Sequence, residues 1–434
     1  MLTIYTPQLT NRITFVMDVV FNGHLHIPYQ LTESVDEFKH ADIGISYAPQ
    51  PVSVENEVFI WQHAMMVATD IQEQTIDTGM FEDEPVFFQS PYDESLLPFD
   101  IFALSFYLLT RYEEYLPHPK DTYGRFPAKV SLACQAGFLQ KPLVDILVLK
   151  FAQKLQSIYP ALKYDAGVGE YIATYDIDNA YAYLHKGLVR TTGGLIKQLF
   201  RFDFKEVGNR LAVLFGGRRD PFDTYAFLEL MQLQYGLQRY YFILCAEKSG
   251  YDRGLNPQNR EFQKLVCQLH TQGKIGCHPS FASSSSPAKL SHEINTLSGI
   301  IKEKIRFSRT HYLLLDFPVT YQQLIANGIT MDFTLGYPEL PGFRASTSKV
   351  FPFFDLSTNR QTPLQLLPFA YMEETFQNYM RLKPGEALDV IKQLIDAVKS
   401  VNGTFVSLWH NENFEKNGED WKTVYEQSLT YFFS

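Results

Sequence analysis

Residues 239–278 read RYYFILCAEKSGYDRGLNPQNREFQKLVCQLHTQGKIGCH. Arg239–Cys245 is an aromatic and aliphatic run of strand length. Glu261–Gln272 has helical spacing, and Gly273 stands where a helix C-terminus stops. Lys274–His278 is strand-like again. Strand, helix and strand in succession predict neighbouring parallel strands joined by a helix. The pattern extends both ways. Upstream lie a buried-strand run at Tyr171–Asp176 and a helix at Thr224–Gln234. Downstream, Leu290, Ile294, Leu297 and Ile301 mark a helix face. Tyr312–Leu315, Gly328–Thr334, Leu364–Tyr371 and Thr404–Trp409 read as strands, with helices at Val319–Asn327 and through Leu388–Val398. About seven such units predict a closed or partly closed (β/α) barrel over residues 166–434.

Before residue 165 the texture differs. Short strand-like runs, Ile43–Tyr47 and Val58–Trp61, mix with helical segments. Pro98–Tyr115 (PFDIFALSFYLLTRYEEY) predicts one strong helix, with Pro98 in its first turn and Asp100 at its positive end. A second helix is predicted over Pro142–Ile158. Residues 1–165 therefore read as an α+β N-terminal domain.

Composition limits the function classes. The chain has 434 residues, 45% hydrophobic, 20% charged and 15% aromatic, with a formal charge of −10. This is a globular composition, and its charge argues against a nucleic-acid partner held by bulk electrostatics. No apolar run approaches the ~20 residues of a membrane span. The N-terminus lacks a basic segment followed by an apolar stretch, so the expected compartment is the cytoplasm. Cys134, Cys245, Cys267 and Cys277 form no C-x-x-C pair. Gly216-Gly217-Arg218-Arg219 lacks the GxxxxGK[ST] spacing of a phosphate loop and reads as polar surface. His24 and His26 also read as surface residues. The oligomeric state is not legible.

In a barrel of this kind the chemistry sits at strand C-terminal ends. Tyr171–Asp176 runs into Asp176-Ile177-Asp178, and Lys274–Gly276 into Cys277-His278. Arg309-Thr310-His311 stands at the start of the following strand, Asp332 follows Gly328–Met331, and His410 closes the last strand. Asp176 and Asp178 are two apart, on one face of a strand. Side by side, two carboxylates repel unless a cation relieves them. A divalent metal would let one ligate while the other takes a proton from the attacking water. N-capping explains only one of the pair.

With these residues the chain resembles the NodB-homology polysaccharide deacetylases (carbohydrate esterase family 4), in a divergent bacterial branch with an extra N-terminal domain matching residues 98–115. The resemblance covers roughly residues 166–434 and rests on Thr174-Tyr175-Asp176-Ile177-Asp178, Gly276-Cys277-His278, Arg309 and Leu408-Trp409-His410. It implies a distorted (β/α) barrel and a divalent metal, usually zinc. It implies Asp176 as catalytic base, Asp178 and His278 as ligands, Arg309 orienting the base and His410 as general acid. Where the family carries a second histidine, this chain has Ala282; His311 is the candidate replacement ligand. Arg344, Asp332 and Trp409 are candidates for substrate binding, with Tyr337 and Phe343 as further sugar-facing aromatics; Arg344 reads equally as a structural ion pair.

Three functions remain open. One is removal of an acetyl group from an N- or O-acetylated sugar or polysaccharide. Another is hydrolysis of a small amide or imide on the same fold. The third is a sugar-binding barrel without catalysis, for which Ala282 is the best support. An enclosed pocket would favour a small substrate and an open groove a polymer.

Overall fold

A computed structural model of the chain describes residues 1–54, 57–415 and 420–434. Strands β1 (Leu2–Tyr5), β2 (Tyr29–Thr32), β3 (Gly44–Ala48) and β4 (Phe59–Trp61) form a parallel sheet in the order β2-β1-β3-β4. The short hairpin of β5 (Gly79–Phe81) and β6 (Glu84–Val86) follows. Helix Ile101–Leu109 is buried along its whole length. Asp100 caps it, accepting from the backbone N–H groups of Phe102 and Ala103 at 2.9 Å. The helix ends before Tyr115 because Arg111 adopts a left-handed conformation (φ 53°) and a 3-10 turn covers Tyr112–Tyr115. That break aims the Arg111 guanidinium at Glu113, Glu114 and the Tyr337 hydroxyl.

The second sheet is larger. It comprises β7 (Glu170–Ile177), β8 (Gln238–Ile243), β9 (Lys274–Cys277), β10 (Phe307–Ser308), β11 (Met331–Asp332), β12 (Phe351–Asp355), β13 (Arg360–Leu366), β14 (Tyr371–Met372) and β15 (Thr404–His410). Among the described residues its order is β12-β13-β11-β10-β9-β8-β7-β15-β14, nine strands rather than about seven. β12 pairs antiparallel with β13, and the other pairings are parallel. The protein is thus a mixed α/β structure, as the alternation predicts.

The sheet curls around one face. Ile172, Phe242, Val406 and Leu408 from the central strands pack in one buried cluster with Phe369, which follows β13, and Met372 of β14. β13 and β14 stand near opposite ends of the strand order, yet only residues 367–370 link them, so the sheet curls to bring its ends together. Along β7 the alternation assigns Ile172, Thr174 and Asp176 to this inner face. Tyr171 and Tyr175 pack in the larger cluster on the other side. Gly276 lets the curl close tightly, since a Cβ there would meet the Phe242 ring at 2.5 Å.

Some local expectations change. Tyr312–Leu315 is not a strand: Tyr312 has φ 60° within the turn His311–Leu313. The strand is Phe307–Ser308, which places Arg309 and His311 after a strand rather than at the start of one. Between β7 and helix Tyr225–Tyr235 lie two helices, Gly187–Phe200 and Phe204–Leu214, that the pattern reading leaves unassigned. Gly187, Gly193, Gly194 and Gly208 dilute their periodicity. His24 is buried, not a surface residue.

His24 belongs to the joint between the N-terminal segment and the rest. Its Nε2 lies 2.9 Å from Asp145 Oδ1. Asp145 also accepts from the Thr347 hydroxyl and from the Ser348 backbone N–H (2.8 Å) and hydroxyl (2.7 Å). Burial alone would raise the Asp145 pKa. The hydrogen bond and charge of His24, with the bonds from Thr347 and Ser348, outweigh it and hold the value below the ordinary 3.8. This stabilisation is complete above the free value and is lost as pH falls through the lower folded value. Asp145→Ala should cost about 3–5 kcal/mol at neutral pH, because it strands the buried partners. Denaturant titration should also show the variant losing less stability than the parent on acidification below about pH 4. A neutral-pH loss under about 1 kcal/mol would contradict this account of the joint.

Candidate functional site

One rim of the curled sheet collects the polar strand ends. Asp176 lies in β7 and Asp178 just beyond it. His278 follows β9, Arg309 and His311 follow β10, and His410 ends β15. β15, β7, β8, β9 and β10 are successive neighbours, so residues scattered over more than 230 positions meet at one edge.

Asp178, His278 and His311 each offer a ligand atom, and these atoms lie within 4.8 Å of one another. His278 Nε2 is 3.2 Å from Asp178 Oδ1 and 3.8 Å from Asp176 Oδ2. His311 Nε2 is 3.2 Å from Asp178 Oδ2. Both rings are held from behind. His278 Nδ1 lies 2.6 Å from the Arg309 carbonyl oxygen, and His311 Nδ1 lies 2.9 Å from Asp252 Oδ1. Such contacts orient Nε2 as a ligand. His278 Nε2 and Asp178 Oδ1 are buried without a hydrogen-bond partner. A cation between them would satisfy both, and two imidazoles with one carboxylate are a donor set that suits zinc with an open fourth position. Ala282 sits in the turn Phe281–Ser283, and the second imidazole in the cluster is that of His311.

The carboxylates and imidazoles of this cluster are electrostatically coupled. Burial opposes the charge on Asp178, but the charge of His311 and the approach of both imidazoles hold its pKa well below the carboxylate range. Burial likewise opposes protonation of His311, yet Asp178 and Asp252 push it up to about 10. A metal would compete with that proton.

Asp176 and His410 flank this cluster. Arg309 Nη1 donates to Asp176 Oδ1 and to the Thr174 hydroxyl, both at 2.8 Å, and Arg309 Nε donates to the Phe333 carbonyl at 3.0 Å. Its guanidinium lies 4.5 Å from the Phe242 ring centroid. His410 Nδ1 lies 2.8 Å from Glu373 Oε1, and its Nε2 lies 3.8 Å from Asp178 Oδ2. Burial would lower the His410 pKa, but the charge and hydrogen bond of Glu373 raise it well above the ordinary value.

These groups open into a cavity of about 340 Å³. Tyr251, Tyr312 and Tyr379 line it as aromatic walls, and Glu412 and Arg125 add charge. Burial and the nearby Asp178 raise the Glu412 pKa to about 7, and its Oε2 is buried without a hydrogen-bond partner. Arg125 comes from the N-terminal segment. It is paired with Asp121 at 2.7 Å and donates to the Tyr312 carbonyl at 2.9 Å.

Three residues expected at the substrate lie elsewhere. Arg344 is buried in a two-pronged ion pair with Glu114, so its ion-pair reading describes it. Asp332 is fully buried, accepting from Ser308 and Thr334. Trp409 is fully buried, stacked on Phe414 with centroids 5.0 Å apart and donating to the Tyr371 hydroxyl. On β15 the alternation turns Trp409 away from the face that carries Leu408 and His410. Tyr337 and Phe343 are core residues as well. Sequence reasoning missed Glu373, Asp252 and the three tyrosines. Glu373 follows β14, so the strand-end rule applies to it; Asp252 lies in a loop with no motif.

Residues 2–160 match the model of a family of unknown function (DUF7033). No curated protein matches the chain. Among solved structures it is similar to a putative polysaccharide deacetylase from Mycobacterium smegmatis, at 12% identity and TM-score 0.39, over 61% of this chain and 84% of that one. It is similar to a polysaccharide deacetylase from Bacillus cereus at 11% identity and TM-score 0.30, over 61% and 87%. It is also similar to PuuE allantoinase at 10% identity and TM-score 0.37, over 61% and 83%.

The cluster generates a metal-binding prediction. The purified protein should take up about one zinc per chain, releasing protons as it does so. His278→Ala and His311→Ala should each weaken uptake by at least about 100-fold. Calorimetric titration in buffers of different ionisation enthalpy reads both effects. Unchanged zinc affinity in both variants would remove them from the site.

Proposed function

We propose that the chain is a metal-dependent hydrolase that removes an acetyl group from a small N- or O-acetylated sugar. The observation that carries this reading is the cluster itself: Asp178, His278 and His311 face one point, with Asp176 and His410 beside it. Zinc bound by those three residues would polarise the acetyl carbonyl and make water a stronger nucleophile. Asp176 takes the proton of the attacking water, while Arg309 holds that carboxylate in place. His410, kept protonated by Glu373, donates from Nε2 to the leaving nitrogen or oxygen. The motif order, with its resemblance to NodB-type barrels, supports the same assignment.

The cavity of about 340 Å³ accommodates one sugar ring with its acetyl group. That observation equally suits the second reading, a C–N hydrolase acting on a small amide or imide. In either case residues 1–165 are a domain that helps wall the cavity through Arg125. The pairing of His311 with His278 and Asp178 weakens the case for a sugar-binding barrel without catalysis.

The test is acetate release by the zinc-loaded protein from a panel of N- and O-acetylated monosaccharides, with small amides and cyclic imides alongside. Asp176→Asn and His410→Ala should each lower kcat by about 100-fold or more while zinc uptake persists. Turnover of amides or imides alone would select the second reading. Full activity in either variant would remove the acid–base assignment.

A further inference from the structure

The helical hairpin between β7 and helix Tyr225–Tyr235 has no part in the proposed chemistry. Its helices, Gly187–Phe200 and Phe204–Leu214, are joined by a tight turn in which Phe202 is left-handed (φ 57°). No residue of the first helix is buried, although the sequence is strongly apolar on one side. Leu188, Val189, Phe200, Phe202, Phe204 and Phe215 are 65% to 86% exposed. Val189 and Phe200 lie eleven positions apart, and so do Phe204 and Phe215, which is three helical turns. Each helix therefore presents one apolar stripe, and the turn adds Phe202 between them. Water is a poor solvent for such a surface, and most exposed patches of this kind are interaction sites.

The charge around the stripe identifies the partner. Residues 187–215 contain five Lys or Arg against Asp203 and Glu206, a net of +3, on a chain whose total is −10. Lys197, Arg201, Lys205 and Arg218 are exposed. Exposed phenylalanines flanked by basic side chains match an interface that is apolar inside and anionic at its surface. A second copy of this acidic chain presenting the same hairpin would instead set +3 against +3.

We propose that residues 187–215 dock this protein on an anionic lipid surface, with the phenylalanines of the turn at acyl-chain level and the basic residues among the headgroups. The root of the hairpin is tied to the catalytic cavity. Arg190 donates to the carbonyls of Arg253 (2.8 Å) and Gly254 (3.0 Å), and Arg253 lines that cavity. Docking would thus hold the cavity close to substrates presented at the same surface. The docking itself uses no metal and no turnover, so it stands or falls separately from the hydrolase reading.

The experiment is co-sedimentation of the full chain with phosphatidylcholine vesicles, with and without about one-third phosphatidylglycerol. The protein should pellet with the anionic vesicles, and raised salt should release it. Phe200→Ser/Phe202→Ser/Phe204→Ser should abolish pelleting. Lys197→Glu/Arg201→Glu/Lys205→Glu alters only exposed side chains and should lower partitioning by about 100-fold, near five-fold for each basic residue lost. Circular dichroism and light scattering on the free proteins establish that both variants remain folded. Failure to pellet with anionic vesicles would overturn the proposal, as would equal binding to neutral ones. So would a dimer of the parent protein that the serine changes dissolve while no vesicle binding is seen, because the stripe would then be covered by a second copy.

Discussion

Asp178 is a half-buried carboxylate, its Oδ1 shut off from water, that three imidazoles approach from different strand ends. A carboxylate partly withdrawn from water is unfavourable unless positive charge or hydrogen bonds compensate it. His278, His311 and His410 supply them, and each depends on something behind it: a backbone carbonyl, Asp252 and Glu373 respectively. Those supports require β7, β9, β10, β14 and β15 to end at one level. The curl of the sheet is therefore a condition for the site rather than a setting for it. Arg309 shows the same economy. Its guanidinium faces aromatic rings of the inner cluster while it donates to Asp176, so core packing and site geometry share one side chain.

The N-terminal segment is coupled to this arrangement by buried polar contacts. Glu114 binds Arg344 and Arg111, and Asp145 binds His24, Thr347 and Ser348. Contacts of this sort are directional, and they hold register where apolar packing alone would tolerate sliding. The register matters because Arg125 arrives from that segment and is bonded to the Tyr312 carbonyl, next to His311. A change in the joint would reach the cavity wall through that link.

Charge is distributed unevenly over the molecule. The chain is acidic overall, its cavity mixes histidines with carboxylates, and the hairpin beyond β7 is basic and apolar. The hairpin leaves the sheet directly after Asp178, so the element that carries the most exposed phenylalanine begins where the densest polar cluster ends. Two environments with opposite demands are thus kept apart by one stretch of chain, residues 179–186.

The sequence by itself determined the alternation of strands and helices, because period-two and period-3.6 patterns are local properties of the chain. It also marked Asp176, Asp178, His278 and His410, since each stands at the end of a readable strand, and Arg309 and His311 by motif order. Tertiary structure alone decided the rest. β10, β11 and β14 are two-residue strands, too short to show a period, so the level of Arg309, His311 and Glu373 depends on pairing with distant neighbours. Tyr312 turns left-handed and redirects what read as a strand. Arg344 went to the core for a reason no local pattern contains: it meets Glu114 from 230 positions away. His311 joined His278 and Asp178 only because parallel pairing sets β9 beside β10. Motif order nominated His311 as a ligand, but pairing order is set by the packing of the whole sheet, and only that packing sets its Nε2 beside Asp178.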